Sequence, residues 1–162
     1  GIFSPIYKFE GEYLANGDFN NQKFKTKFYK QHWKTKRKIK IVEMSFDGDL
    51  IYLAQEPEEK EVSRVNISEL FQYYDPITSF INILNGMDLV NTIDGRRIYT
   101  MKKNLLDDGK TIELEIHKYK NIWADHKRND LKKIQFLITK DQFLPSEIKI
   151  YFKDRIFNLN KI

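Results

Sequence analysis

Asp75-Pro76-Ile77-Thr78-Ser79-Phe80-Ile81-Asn82-Ile83-Leu84-Asn85-Gly86 is the one stretch of this chain whose pattern reads as a helix. Asp75 can cap it by accepting backbone N–H groups. Pro76 suits the first helical position, where its missing N–H would have no partner. Asn85-Gly86 can end it. Ile77, Phe80, Ile81 and Leu84 fall at i, i+3, i+4 and i+7, one apolar stripe. The pattern decides the fold because it is a single interruption: the chain on both sides alternates with period two.

Before the helix, strands are expected over residues 6–14, 22–34, 38–46 and 50–55. Tyr7, Phe9, Gly11 and Tyr13 share a face of the first; Phe24, Thr26 and Phe28 share a face of the second. Asn16-Gly17-Asp18 and Asn20-Asn21 read as a turn-rich break between them. In the third strand the apolar phase slips from Ile39 and Ile41 to Val42, Met44 and Phe46, which predicts a β-bulge. Asp47-Gly48 reads as a hairpin turn. After the helix, strands are expected over 87–93, 96–105, 111–123, 131–139, 146–152 and 155–159. Ile112, Leu114 and Ile116 alternate with Glu113, Glu115 and His117, and Ile134, Phe136, Ile138 and Ile148, Ile150, Phe152 repeat the pattern. Each strand has one apolar and one wet face, as in antiparallel sheets solvated on one side.

So many strands joined by short turns cannot lie flat without exposing their apolar faces. The expectation is a single mainly β domain over residues 1–162. It is a curved antiparallel sheet or partial β-barrel, with one amphipathic helix packed against the concave face.

Composition narrows the function. The chain has no Cys, which excludes disulfides, thiol catalysis and thiolate metal sites. A net charge of +5 over 162 residues is too mild for a nucleic-acid footprint unless clustered. The densest basic run, Lys34, Lys36, Arg37, Lys38 and Lys40 beside His32 and Trp33, reads as a hairpin tip, with Ile39 and Ile41 alternating into a core. No nucleic-acid partner is expected. No apolar run approaches the roughly 18 residues a membrane helix needs. The chain begins Gly1-Ile2-Phe3, without an initiator Met, which allows for a removed signal sequence or anchor.

Three motifs then occur in order. Tyr74-Asp75-Pro76-Ile77-Thr78-Ser79-Phe80 opens the helix, Asp94-Gly95-Arg96-Arg97-Ile98-Tyr99 follows about ten residues after it, and Leu144-Pro145-Ser146-Glu147-Ile148 stands near the end. In their order and spacing the chain resembles the bacterial exported proteins of domain of unknown function 3108 (DUF3108), over roughly residues 5–160. One departure stands at Ile98, where that family carries an aromatic residue or a further Arg. The resemblance implies a mostly β, extracytoplasmic, periplasmic bacterial protein whose signal sequence has been removed. That family has no established activity, so the resemblance supplies no catalytic residues; no cofactor is expected.

The residues themselves point away from catalysis. His32, His117 and His126 form no metal-binding spacing, and no nucleophile elbow, P-loop or dinucleotide fingerprint occurs. The carboxylate pairs Asp107-Asp108 and Glu58-Glu59 lie in turns and loops. Gly95 can take φ > 0 in a tight turn, with Asp94 bonding its own backbone. One of Arg96 and Arg97 should face inward, held by Asp94 or Asp88 or else free to bind an anion. The aromatic excess leaves two readings, a filled core or an apolar cavity beneath the helix. The cavity reading gives Phe80, Ile81, Leu84, Tyr99 and Phe136 as lining, with Arg96 and Arg97 at the rim. The functional expectation is a non-enzymatic envelope protein binding a lipid or other apolar or amphiphilic ligand. The alternatives are a periplasmic protein-interaction or scaffold domain with an envelope protein partner, and a hydrolase that motifs do not reveal.

Overall fold

The computed structural model describes residues 9–36, 38–123, 130–137 and 144–160. Within them the chain is mainly β, with one α-helix. It forms two sheets rather than one, and the larger is not closed into a barrel. The smaller sheet holds β1 (Phe9–Asn20), β2 (Lys23–Thr35), β3 (Ile39–Asp47) and β4 (Leu50–Glu56), in that order and antiparallel throughout. The larger holds β5 (Tyr73–Tyr74), β6 (Leu89–Ile93), β7 (Arg97–Leu105), β8 (Thr111–Asn121), β9 (Leu131–Leu137), β10 (Glu147–Phe152) and β11 (Arg155–Asn160). It is antiparallel except where the short β5 runs parallel to β6. The helix α1 spans Pro76–Leu84. Of the strand expected over 131–139, the last two residues lie outside the described residues, as do Tyr7, Arg37, His126 and Ile138.

Strand one runs straight through the expected break. Asn16-Gly17-Asp18 is ladder, not turn, and the hairpin closes at Asn21 and Gln22, both with positive φ. The bulge expected in β3 is absent there; β3 keeps an unbroken register with both neighbours. It lies in the β1–β2 pair, where consecutive Asn16 and Gly17 face Phe28 and Thr26, so Lys27 is the extra residue. The inward phase of β2 therefore flips after Thr26. Tyr29 enters the core, almost fully buried, and Phe28 does not. Ile39 is likewise corrected. It is 52% exposed on the outer face, while half-buried Lys40 takes the inner position near the strand's start. Gly17 permits the bulge, because a Cβ there would collide with the Lys25 carbonyl oxygen.

Helix α1 is capped as expected: Asp75 Oδ1 accepts from Ile77 N at 2.9 Å and Thr78 N at 3.1 Å. Its buried face differs from the expected stripe. Thr78, Ser79, Asn82 and Ile83 are buried, whereas Ile77, Phe80, Ile81 and Leu84 are only half-buried. The cause is the helix's position between the sheets. β2 extends past β3, whose pairing reaches only Phe28, so the edge of β2 at Phe24 needs another partner. Asn82 supplies it: its Oδ1 accepts from Phe24 N at 2.8 Å and its Nδ2 donates to Phe24 O at 2.9 Å. Thr26 Oγ1 donates to Asp75 Oδ2 at 2.5 Å, and on the other side Thr92 Oγ1 donates to Ser79 Oγ at 2.8 Å. Paired polar groups inside cost little and fix position; unpaired they would cost much more.

Two apolar clusters follow. One joins the smaller sheet to the β6–β7 turn end through Tyr29, Val42, Met44, Ile51, Ile93 and Ile98, with Ile77 against it. The other lies between α1 and the larger sheet, around Ile83, Tyr99, Met101, Leu114 and Phe136.

Candidate functional site

The inner face of the larger sheet carries two apolar rows. Ladder pairing sets Ile112, Phe136, Ile148 and Leu159 side by side across β8 to β11, and Leu114, Ile134, Ile150 and Phe157 beside them. Helix α1 covers the β8–β9 end. Phe80 meets Phe136 edge-on at 5.0 Å between ring centroids, and Ile83 and Leu84 pack into the same cluster. Cover then fails. Leu114 is completely buried and Phe136 nearly so, the β10 residues are half-buried, and Phe157 and Leu159 are 48% and 51% exposed. The result is an apolar floor walled on one side by the helix and open at the other.

At one corner of this floor Phe152 meets Phe157 edge-on at 6.5 Å. The Arg97 guanidinium stands 5.3 Å from the Phe152 ring centre and the Lys153 ammonium 6.0 Å from it. Neither cation is free. Arg97 pairs with Asp94 at 3.4 Å and Lys153 with Asp130 at 3.8 Å.

Of the seven residues read from the sequence as lining or rim, Phe80, Leu84, Tyr99 and Phe136 come together in the helix-covered cluster. Tyr99 also stacks on Tyr119 at 6.2 Å. Arg97 borders the cluster through Phe152. Ile81 belongs to neither cluster, and Arg96 is exposed. Arg96 faces the smaller sheet, where its charge, after burial, is the second cause lowering the Lys40 pKa. The open end of the floor is not legible in the sequence. The alternation of Ile148, Ile150 and Phe152 gives those residues one face, but no local signal tells which strand the helix leaves uncovered.

The Asp94-Gly95-Arg96-Arg97 turn is a joint between the sheets. Asp94 Oδ1 accepts from Arg96 N at 2.9 Å and Arg97 N at 2.7 Å. Gly95 has φ +79°, and a Cβ there would run into Val42 Cγ1 and sit 3.4 Å from Leu53 Cδ1. Trp123 Nε1 donates to Gly95 O at 2.9 Å. The phenols of Tyr29 and Tyr99 are pushed far above their ordinary pKa, first by burial and then by the Asp94 charge. They are structural hydroxyls, held neutral.

Several other titratable groups are engaged by neighbours. The Thr111 hydroxyl donates to Asp108, which also accepts from Thr111 N at 2.7 Å and Lys110 N at 2.9 Å, and these bonds, in that order, hold its pKa below the usual range. Glu59 pairs with Lys40 at 3.8 Å and Asp88 with Lys103 at 3.1 Å. His117 bonds Glu115 at 3.1 Å on the surface. Among the described residues no group of three or more His, Asp or Glu converges as a metal would require, and no helix is long and apolar enough to cross a membrane. A separate open hollow of about 520 Å³ is lined by residues 63–68 and by none of the helix.

Among the described residues two side chains, Gln55 and Tyr119, carry buried polar atoms without a hydrogen-bond partner. Both polar atoms of the Gln55 side chain are buried without a hydrogen-bond partner among the described residues. Such a group costs about 1–3 kcal/mol. Gln55→Leu should therefore raise stability by about 1 kcal/mol or more, read as a higher urea midpoint at unchanged slope. A lower midpoint would mean that the amide has a partner.

The chain matches no protein-family model, no curated protein and no solved structure.

Proposed function

We propose that this protein is a non-catalytic binding module of the bacterial cell envelope that holds an apolar or amphiphilic ligand against the open end of its larger sheet. One observation carries the reading. Along two continuous rows on a single face, cover falls from complete at Leu114 to about half at Phe157 and Leu159. A chain laid on that floor gains about 0.8 kcal/mol for each CH₂ removed from water. The corner cations add little selectivity for an anionic head, because Asp94 and Asp130 already hold them. The ligand is taken for its apolar part. The envelope location rests on the resemblance to exported proteins.

Displacement of a fluorescent fatty-acid probe by oleate tests this. Binding should saturate, and Phe157→Glu should weaken it about tenfold to a hundredfold, the worth of one buried large side chain. Far-UV circular dichroism should stay unchanged, since Phe157 is half-exposed. Equal probe binding by the folded variant would show that the floor is not the binding surface.

A further inference from the structure

We infer that β11 is the contact edge of a two-fold dimer, in which β11 of a second copy of this chain pairs antiparallel with it about Asn158. The edges of the two sheets are treated differently. β1 carries exposed Glu10, Glu12 and Asp18 and is distorted at Asn16/Gly17, devices that keep other strands off an edge. β4 lies against the 3₁₀ turn at Ile67–Glu69, and β5 has only two residues. Among the described residues β11 has none of this protection. All six of its residues are exposed, its register with β10 is unbroken, and from Ile156 to Asn160 it holds no charge, Pro or Gly.

Geometry selects the partner. Lys153-Asp154 is a two-residue turn, so Phe152 and Arg155 form the closing hydrogen-bonded pair. Alternation then turns the backbone groups of Arg155, Phe157 and Leu159 toward β10 and those of Ile156, Asn158 and Asn160 outward. A strand added to this edge must offer outward groups at the same spacing, apolar residues on the inner face and no charge opposite. β11 itself meets all three conditions. Centred on Asn158, Ile156 pairs with Asn160 of the second copy, Asn158 with its own equivalent, and Phe157 packs on Leu159. About six hydrogen bonds close the pair. Arg155 falls outside the paired stretch, so the two guanidinium groups lie at opposite ends. A two-fold axis perpendicular to the sheet keeps both inner faces on one side, and the two apolar floors become one.

Sedimentation velocity over a concentration series tests this. The unmodified chain should show a concentration-dependent dimer. Asn158→Pro removes an outward N–H without touching the β10 ladder, and Asn158→Lys sets two ammonium groups face to face. Each should weaken the dimer at least about tenfold with the circular dichroism retained. An equimolar mixture of the Asn158→Lys and Asn158→Asp chains should dimerise again. A chain that stays monomeric throughout, or a dimer indifferent to both Asn158 variants, would overturn the inference. The Asn158→Lys monomer should still bind the fatty-acid probe, so dimerisation and ligand binding can fail separately.

Discussion

Gly95→Ala is expected to lower stability by about 2–5 kcal/mol. The first contribution is local: φ +79° is costly for any residue with a Cβ, by about 1–2 kcal/mol. The second is at the sheet–sheet joint, where the new methyl group would occupy the space of Val42 Cγ1, and overpacking of this kind costs about 1–3 kcal/mol. Val42 is almost fully buried, so it has little room to retreat. The two contributions can be separated. Val42→Ala alone should destabilise by opening a cavity, but in the Gly95→Ala background it should cost less, or help, because it removes the collision. Urea denaturation of the two single variants and the double variant reads this coupling. A loss below about 1 kcal/mol for Gly95→Ala would show that the turn does not clasp the smaller sheet.

Asn82→Ala is the second large effect expected. The side chain serves as a surrogate strand on the edge of β2 that β3 does not reach, receiving Phe24 N–H and donating to Phe24 O. Truncation leaves both backbone groups of half-buried Phe24 without their partner, the completely buried Asn82 side chain. The expected cost is about 2–4 kcal/mol, because each orphaned group costs about 1–3 kcal/mol. Asn85→Ala is the control. Asn85 Nδ2 also donates to a backbone oxygen of the chain before β2, that of Gln22, but this bond is exposed. Its loss should cost less than about 1 kcal/mol, since water replaces it. Equal effects for the two variants would contradict the role given to Asn82. Hydrogen exchange at Phe24 N–H offers a direct check: protection should fall in Asn82→Ala and persist in Asn85→Ala.

These two positions mark where local pattern stops being informative. Asp75 is legible as a cap because the N–H groups it accepts lie two and three residues away. The alternation of Ile112, Leu114 and Ile116 is legible because a pleated strand imposes it. The Asp94-Gly95 turn is legible for the same reason, since Asp94 and the two N–H groups it accepts are neighbours. What Gly95 touches is not, since Val42 lies more than fifty residues earlier in the chain. The helix shows the limit most clearly. Its apolar stripe implies an apolar interface, yet of the four buried residues, Thr78, Ser79, Asn82 and Ile83, three are polar, and Asn82 and Ser79 are turned to hydrogen bonds with β2 and β6. In β2 a single extra residue, Lys27, reverses the inward phase, so that Tyr29 and not Phe28 builds the core. The division into two sheets has the same origin. It depends on which strands find each other, and short turns alone do not say where a meander stops.

The candidate site divides in the same way. Phe80, Leu84, Tyr99 and Phe136 do meet, because helix and strand periodicities each assign them an inward face. Arg97 faces the same region, but Asp94, three residues away, already holds it. The exposed remainder of the floor is set by the length of α1, which is nine residues against a seven-stranded sheet. A helix of about 1.5 Å rise per residue spans some 13 Å, whereas seven strands at about 4.8 Å spacing span nearly 30 Å. The helix therefore cannot cover every strand, and β10 and β11 are those left open.

The uncovered face of β10 and β11 is the proposed binding surface. The most direct test is a titration of isotope-labelled protein with oleate below its micelle concentration, followed by amide and methyl chemical shifts. Saturable shifts are expected, concentrated at Ile148, Ile150, Phe157, Leu159 and Phe80, with the smaller sheet unmoved. Shifts centred on the smaller sheet or on residues 63–68, or no saturable shifts at all, would contradict it.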